Sequence, residues 1–131
     1  DSWGDPQLLE LCGADCEGYY FSTHYVANGA TGATKDFIDK YNSQFDYIPG
    51  DVAALTWDSM RVVVQALENC GTISGDLTAD RECIRGGMAA IKDFDGITGN
   101  MTFDDQGDPI KCAVIVEIKG GEFIAHSSAC P

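Results

Sequence analysis

The stretch PGDVAALTWDSMRVVVQALENCG, residues 49–71, predicts the longest helix of the chain. Asp51 is the expected N-cap, because Asp accepts hydrogen bonds from the free N–H groups of a first helical turn. Gly71 is the expected C′ residue, because Gly adopts left-handed backbone without strain. The positions that recur at helical steps in between are Val52, Leu55, Ser59, Val63, Ala66 or Leu67, and Cys70.

Two shorter helices are predicted on either side of residues 49–71. One begins at Thr34, after a loop over residues 28–32, and the other begins near Thr78 or Asp80 and runs to about Lys92. Gly86-Gly87 in the latter costs about 1 kcal/mol per Gly relative to Ala, which indicates close backbone packing, a bend or simple tolerance. The apolar residues behind these predictions are Phe37, Ile38, Tyr41 and Phe45 in the first helix, and Ile84, Met88 and Ile91 in the second.

Strands are predicted near both ends of the chain. The stretch EGYYFSTH is rich in aromatic and β-favouring residues, and Gly120-Gly121 is typical of a hairpin turn. The fold class is therefore α/β in a single domain over residues 1–131, with helices in the middle and strands at both ends that meet in space. The predicted strands are 17–24, 99–103, 111–119 and 122–125, with a turn at 104–109.

The charge balance excludes two classes of partner. With 21 acidic and 8 basic residues the formal net charge is -13, and no Lys/Arg cluster interrupts it. Such a surface repels nucleic-acid phosphates and anionic lipids. Membrane insertion is not expected either, because no stretch approaches the roughly 18 apolar residues of a spanning helix.

Six cysteines predict disulfides and an oxidising compartment, periplasmic or extracellular. No C-x-x-C pair or H-x(3–5)-H spacing is present, so no metal site is expected. The loop between two predicted helices favours one pair, the hairpin favours a second, and two cysteines remain. The expected pairs are Cys70–Cys83, Cys112–Cys130 and Cys12–Cys16.

Catalysis is not expected. The only histidines are His24 and His126, and no G-x-S-x-G elbow is present. The stretch ATGAT lacks the Lys of a phosphate loop, and DDQGDP breaks the ligand order of a calcium loop. We therefore expect no enzyme activity, no catalytic residues and no cofactor.

Several segments follow one another in an order that resembles a known family. They are DSWGDP with Leu8-Leu9, EGYYFSTHY, FIDKY, AALTWDS, FDGITG and TFDDQGDP. In this order and spacing they resemble the closing portion of the periplasmic branched-chain-amino-acid-binding proteins, which serve ABC transporters and share the type I periplasmic-binding fold. The resemblance covers Asp1 to about Ala125.

The resemblance implies an incomplete type I periplasmic-binding-protein-like sandwich and a set of ligand contacts. In the family two α/β lobes clamp the solute, and an acidic residue matched by Asp1 holds the ammonium group of the ligand. Trp3 and Tyr20 match positions near the cleft, and Trp57-Asp58 matches an aromatic-acidic pair beside it. Core packing is the alternative for Trp3 and Trp57.

Two hypotheses follow, because most of the first lobe in that family precedes the region matched here and cysteines are unusual there. In the first, the chain is a solute-binding module that binds a small amino acid once another chain completes its cleft. In the second, it is a self-assembling extracellular structural subunit, of filament type, that reuses the fold without a ligand. Its partners are correspondingly a complementary chain or further copies of itself.

Overall fold

The computed structural model describes residues 3–131. Three helices follow one another in the middle of the chain, with strands before and after them, and a 3-10 turn lies at Gly13–Cys16. The helices are α1 (Gln7–Cys12), α2 (Gly32–Phe45), α3 (Asp51–Cys70) and α4 (Leu77–Ala89). The strands are β1 (Tyr20–Thr23), β2 (Phe94–Gly96), β3 (Gly99–Phe103), β4 (Pro109–Ile110), β5 (Ala113–Lys119) and β6 (Glu122–Ala129).

The strands form two small antiparallel sheets, in the orders β1-β5-β6 and β2-β3-β4. In the first sheet Tyr20 lies opposite Glu117 and Thr23 opposite Val114, so strands from the two ends of the chain meet as expected. The three longer helices lie between these strands in sequence. The α/β class predicted from the sequence is confirmed.

A β-bulge sets the register of the β5–β6 hairpin. Val116 lies opposite Ala125, but the next residue on β5, Ile115, lies opposite Ser127, so His126 is an extra residue on β6. From there on every pair is displaced by one position, and Ala113 lies opposite Ala129. This displacement brings the residues that follow, Cys112 and Cys130, directly opposite each other.

The structure contains three disulfides with the pairing that the sequence analysis expects. Their Cα atoms are 5.4 Å apart in Cys70–Cys83, 4.2 Å in Cys112–Cys130 and 5.7 Å in Cys12–Cys16. The first joins the end of α3 to α4, and the second joins the open end of the hairpin. The third joins α1 to the 3-10 turn that follows it.

Four helix boundaries differ from the prediction, and one of them is the start of α2, which lies at Gly32 instead of Thr34. The N-cap of α3 is Gly50, with Asp51 as the first helical residue, and α4 begins after Asp76, whose carboxylate accepts from the Thr78 and Ala79 N–H groups. Helix α4 ends at Ala89, short of the expected Lys92. Helix α1 was not predicted, because its six residues are too few for a periodic pattern.

Helix α3 supplies the centre of two apolar clusters. Ala54 packs in the first cluster, with Tyr25, Phe37, Ile38 and Ile97. The second combines side chains of α3 with residues that follow α4, and its members are Val62, Ala66, Ile91, Phe94 and Met101. The buried row of α3 is therefore Asp51, Ala54, Asp58, Val62 and Ala66, which we call the inner row. It lies about one residue away from the row that the sequence spacing indicated, and Val52 and Val63 of that row are exposed.

The Gly86-Gly87 pair of α4 has two different roles. A Cβ atom at Gly87 would lie 2.3 Å from the Ala66 carbonyl oxygen of α3, whereas one at Gly86 would meet nothing within 4 Å. Close approach of the α3 and α4 backbones therefore requires Gly87. Gly86 is tolerated.

We expect Gly87→Ala and Gly86→Ala to change stability in opposite directions. Gly87→Ala should lower the free energy of unfolding by about 1–3 kcal/mol, because the methyl group forces α4 away from α3. Gly86→Ala should raise it by up to about 1 kcal/mol through helix propensity. Urea unfolding followed by circular dichroism measures both, and equal effects would contradict the packing described here.

Candidate functional site

The chain crosses between its two sheets twice, and the crossings lie side by side. After β1 it passes through His24 and Tyr25 towards α2, and before β5 it returns through Lys111 and Cys112. The His24 Nδ1 atom lies 3.3 Å from the Cys112 carbonyl oxygen, which accepts the hydrogen bond. We call this region, together with the N-terminal end of α3, the junction.

Asp51 is a buried carboxylate at the junction, with 3% of its surface exposed. One of its oxygens accepts from the Val52 N–H at 2.8 Å, and the other accepts from the Thr23 hydroxyl at 3.4 Å. The N-terminal end of a helix favours negative charge. No ion pair to Asp51 occurs within residues 3–131, and two of the roughly four acceptor positions of its carboxylate have no partner in that range.

The N-terminal segment lies directly on Asp51. The Gly4 carbonyl accepts from the Asp51 N–H at 3.2 Å, and a Cβ atom at Gly4 would lie 2.6 Å from the Asp51 Cγ atom. Gly4 is therefore required for this approach. It carries Trp3 to the same region, where the Trp3 ring is half exposed and its centroid is 6.2 Å from that of Phe21 on β1.

The other residues named in the sequence analysis are not brought together. Asp1 lies outside the described residues. Tyr20 lies next to Phe21 and so on the opposite face of β1, where its ring stands edge-on to His126 at 5.1 Å. Burial raises the pKa of the Tyr20 hydroxyl, and the Glu117 carboxylate opposite it adds to this shift. Trp57 lies between α2 and α3, with its ring 5.5 Å from Phe37.

Asp58 holds the turn between β2 and β3, and its Oδ1 atom also lies 3.8 Å from Nη1 of Arg61 on α3. Its carboxylate accepts from the Ile97 N–H at 2.9 Å, the Thr98 N–H at 2.9 Å and the Thr98 hydroxyl at 2.7 Å, and only 2% of its surface is exposed. Lys111 donates to the same Thr98 hydroxyl at 2.7 Å. Burial lowers the pKa of Lys111, and the Asp58 charge opposes that shift. The geometry assigns Asp58 to holding the turn against α3.

We expect Asp58→Ala to destabilise the chain by about 3 kcal/mol or more, because it leaves buried donors of Ile97 and Thr98 unpaired. Asp95→Ala is the matched control, since Asp95 is an exposed carboxylate in the adjoining strand and its loss should change stability by less than about 0.5 kcal/mol. Denaturant unfolding of the two variants measures the difference. Equal stabilities would remove Asp58 from this role.

Tyr25 carries a buried hydroxyl for which no hydrogen-bond partner exists within the described part of the chain, residues 3–131. The residue is 5% exposed and packs with Phe37 and Ile38. Burial raises the pKa of this hydroxyl above its usual value of 10.0. The polar group is therefore a cost to stability rather than a contribution.

We expect Tyr25→Phe to leave stability unchanged at neutral pH or to raise it by up to about 1 kcal/mol. Because the folded-state pKa lies above the unfolded value, wild-type stability falls as the pH rises past 10.0, and part of that fall should disappear in the variant. Thermal unfolding at neutral and alkaline pH tests both points. A clear loss of stability at neutral pH would show that the hydroxyl has a partner.

Within residues 3–131 no three His, Cys, Asp or Glu side chains are placed to share a metal ion. None of the helices described there has both the length and the apolar composition needed to cross a bilayer.

Sequence reasoning did not select Asp51 as a site residue, although it placed this residue at the start of α3. A Pro-Gly-Asp stretch before a helix indicates a cap and nothing more. Burial of the carboxylate depends on Gly4 and Thr23, which lie far away in the sequence. No local pattern could have revealed it.

Comparison with known proteins identifies the fold as part of a larger one. A leucine binding protein from Thermotoga maritima is 29% identical and superposes with a TM-score of 0.82, over 98% of this chain and 35% of that one. A branched-chain amino acid transporter substrate binding protein from Streptococcus pneumoniae, solved with isoleucine, is 25% identical with a TM-score of 0.79, over 100% and 36%. A solute binding protein from R. palustris, solved with benzoate, is 22% identical with a TM-score of 0.78, over 95% and 33%, and shows the fold alone.

This chain spans about a third of the length of these solved relatives. Its helices and two small sheets are therefore a part of the type I periplasmic-binding fold. No curated protein matches the chain. The family model for periplasmic binding proteins matches residues 2–122. The chain belongs to the periplasmic binding protein family.

Proposed function

We propose that this chain is the part of an amino-acid solute-binding module that holds the ammonium group of the ligand, in a cleft that another polypeptide completes. The observation that carries the proposal is the Asp51 carboxylate, which is buried at the junction and has no ion pair within residues 3–131. The solved relatives named for leucine and isoleucine support an aliphatic amino acid as the ligand class.

An ammonium group that leaves water needs a carboxylate partner, because burial of an unpaired charge is strongly unfavourable. Asp51 has acceptor positions without a partner among residues 3–131, and the Thr23 hydroxyl beside it is a further polar contact. Trp3 supplies an aromatic surface next to this carboxylate, and a half-exposed indole covers apolar ligand atoms well. Asp1 precedes Trp3 and is proposed as a second carboxylate for the same ammonium group.

The remaining sequence-based candidates do not enter the proposed ligand contacts. Tyr20 lies on the opposite face of β1 from Phe21, the strand residue that Trp3 approaches. Asp58 has its hydrogen-bonding positions occupied by Ile97 and Thr98. Trp57 lies on the exposed side of α3, beside Phe37 of α2.

Completion of the cleft by another polypeptide is part of the proposal. Tight small-molecule binding buries most of the ligand surface, and an open junction cannot do that alone. The chain spans about a third of the length of its solved relatives, and we infer that the counterpart of the remaining two thirds buries the rest of the ligand. We assign the complementary role to a polypeptide of different sequence, in preference to further copies of this chain.

The proposed role is non-enzymatic and located in the periplasm or outside the cell. His24 is bound to the second crossing through Cys112, and His126 lies in the bulge of β6, so the two imidazoles serve different elements. Three disulfides are suited to an oxidising compartment.

We expect leucine to perturb the amide NMR signals of Gly4, Thr23 and Asp51, with a dissociation constant of about 1 mM or weaker for the chain alone. An analogue without the ammonium group, 4-methylpentanoate, should leave these signals unchanged. Asp51→Asn should weaken binding by about tenfold or more, whereas Asp95→Asn, at an exposed carboxylate, should not. Equal shifts with leucine and 4-methylpentanoate, or shifts confined to other residues, would contradict the assignment of Asp51.

A further inference from the structure

Helix α3 has an apolar side that the chain does not cover. Opposite the inner row, five residues follow one another at steps of four and three: Ala53, Trp57, Met60, Val64 and Leu67. We call them the outer face of α3. Trp57 is 48% exposed, Met60 60% and Val64 51%, although the corresponding positions of the inner row are buried. A helix that is apolar on two opposite sides is normally covered on both.

Two grooves run along the outer face, one on each side of Trp57 and Met60. The larger, of about 920 Å³, lies between α2 and α3, and the rings of Phe37 and Tyr41 form its wall. The smaller, of about 360 Å³, lies between α3 and Phe94. Both are open to one side, so a small molecule would stay largely exposed in either of them. Together they offer a ridge with a groove on each side, about 21 Å long, which is the shape against which a second helix packs.

A second copy of the chain is a poor occupant of this surface. Arg61 adjoins Met60, the middle residue of the outer face, so antiparallel or parallel pairing of two outer faces places one Arg61 against the other. The side chain is held there, because Arg61 Nη1 donates to the Asp95 carbonyl at 3.0 Å and the guanidinium lies 5.1 Å from the centre of the Phe94 ring. The formal net charge of -13 on each copy adds long-range repulsion.

The charges around the grooves indicate what kind of helix fits. Arg61 lines both grooves, but its guanidinium lies 3.8 Å from the buried Asp58 carboxylate, which balances its charge. Among the other charged side chains, Asp36 and Asp95 line the larger groove, Glu68 lines the smaller one, and Lys40 supplies an ammonium group. All four side chains belong to exposed residues and take part in no ion pair within residues 3–131. The rim is therefore acidic, and basic flanks on the incoming helix complement it.

We propose that the outer face of α3 docks an amphipathic helix of a polypeptide with a different sequence, apolar at three- and four-residue steps along one side and rich in Lys or Arg beside it. This proposal rests on one part of the proposed function, namely that another polypeptide completes the cleft. It identifies the surface through which that polypeptide binds. Trp57 and Met60 are the central contacts, because they border both grooves.

The probe is a synthetic helical peptide of about 18 residues, five turns, with Leu at three- and four-residue steps and Lys at the flanking positions. Two control peptides keep the length: one has the same composition in scrambled order, and the other has Glu in place of Lys. Fluorescence anisotropy of labelled peptide against the full chain gives the affinities. We expect the first peptide to bind about tenfold or more tightly than either control.

Variants locate the binding on the chain. Met60→Asp with Val64→Asp should weaken binding by about tenfold or more, and Met60→Gln with Val64→Thr should weaken it without adding charge. Ile73→Asp with Leu77→Asp is the matched control, because both residues are exposed apolar positions outside the outer face, and this variant should bind as wild type does. Circular dichroism checks that each variant is folded.

Three results would overturn the proposal: equal binding of the scrambled peptide, equal binding to the Met60/Val64 variants, or no binding at all. A wild-type dimer in analytical ultracentrifugation that the Met60/Val64 variants abolish would also overturn it, in favour of a second copy. None of these readouts uses the free amino acid leucine as a ligand. A failure of the amino-acid assignment and a failure of this proposal are therefore distinguishable.

Discussion

The hydrogen bonds from Ile97 and Thr98 to the buried carboxylate of Asp58 determine where α3 lies relative to the rest of the molecule. They join the middle of the longest helix to the turn between β2 and β3. Gly96 is part of the same constraint, since a Cβ atom there would lie 2.5 Å from the Asp58 Oδ2 atom. With α3 fixed at this point, Ala54 on one side of Asp58 reaches one apolar cluster, and Val62 on the other side reaches the second.

The same constraint reaches the junction. Lys111, on the second crossing, is bonded to Thr98 and hence to the Asp58 turn, whereas Cys112, the next residue, is bonded covalently to Cys130 of the sheet β1-β5-β6. Two adjacent residues are therefore attached to different parts of the molecule. Lys111 is attached to the turn between β2 and β3, and Cys112 is attached through its disulfide to the end of the β5–β6 hairpin. Asp51 lies at the end of the helix that Asp58 holds, so the position of the proposed ammonium site depends on contacts made two turns further along α3.

Spacing in the sequence predicted where α2 and α3 lie and which cysteines pair, because these features depend on local patterns and short loops. The meeting of the terminal strands followed from the α/β pattern of the whole chain. It did not predict the buried side of α3. Apolar residues occur on both sides of that helix, and two of its inner positions are the acidic residues Asp51 and Asp58. A hydrophobic pattern cannot select a side under those conditions. For the candidate site, the resemblance to the family identified Trp3. It did not identify Asp51, because the burial of Asp51 depends on contacts with Gly4 and Thr23, which lie far away in the sequence.

The bulge at His126 brings the two cysteines of the Cys112–Cys130 disulfide opposite each other. If the pairing of Val116 with Ala125 continued without a bulge, Cys112 would face Ala129, and Cys130 would point to the other side of the sheet. The thiol groups therefore meet only in a hairpin whose strands have already aligned with the correct offset. The Cys112–Cys130 bond is therefore compatible with this alignment of the two strands and not with one displaced by a residue.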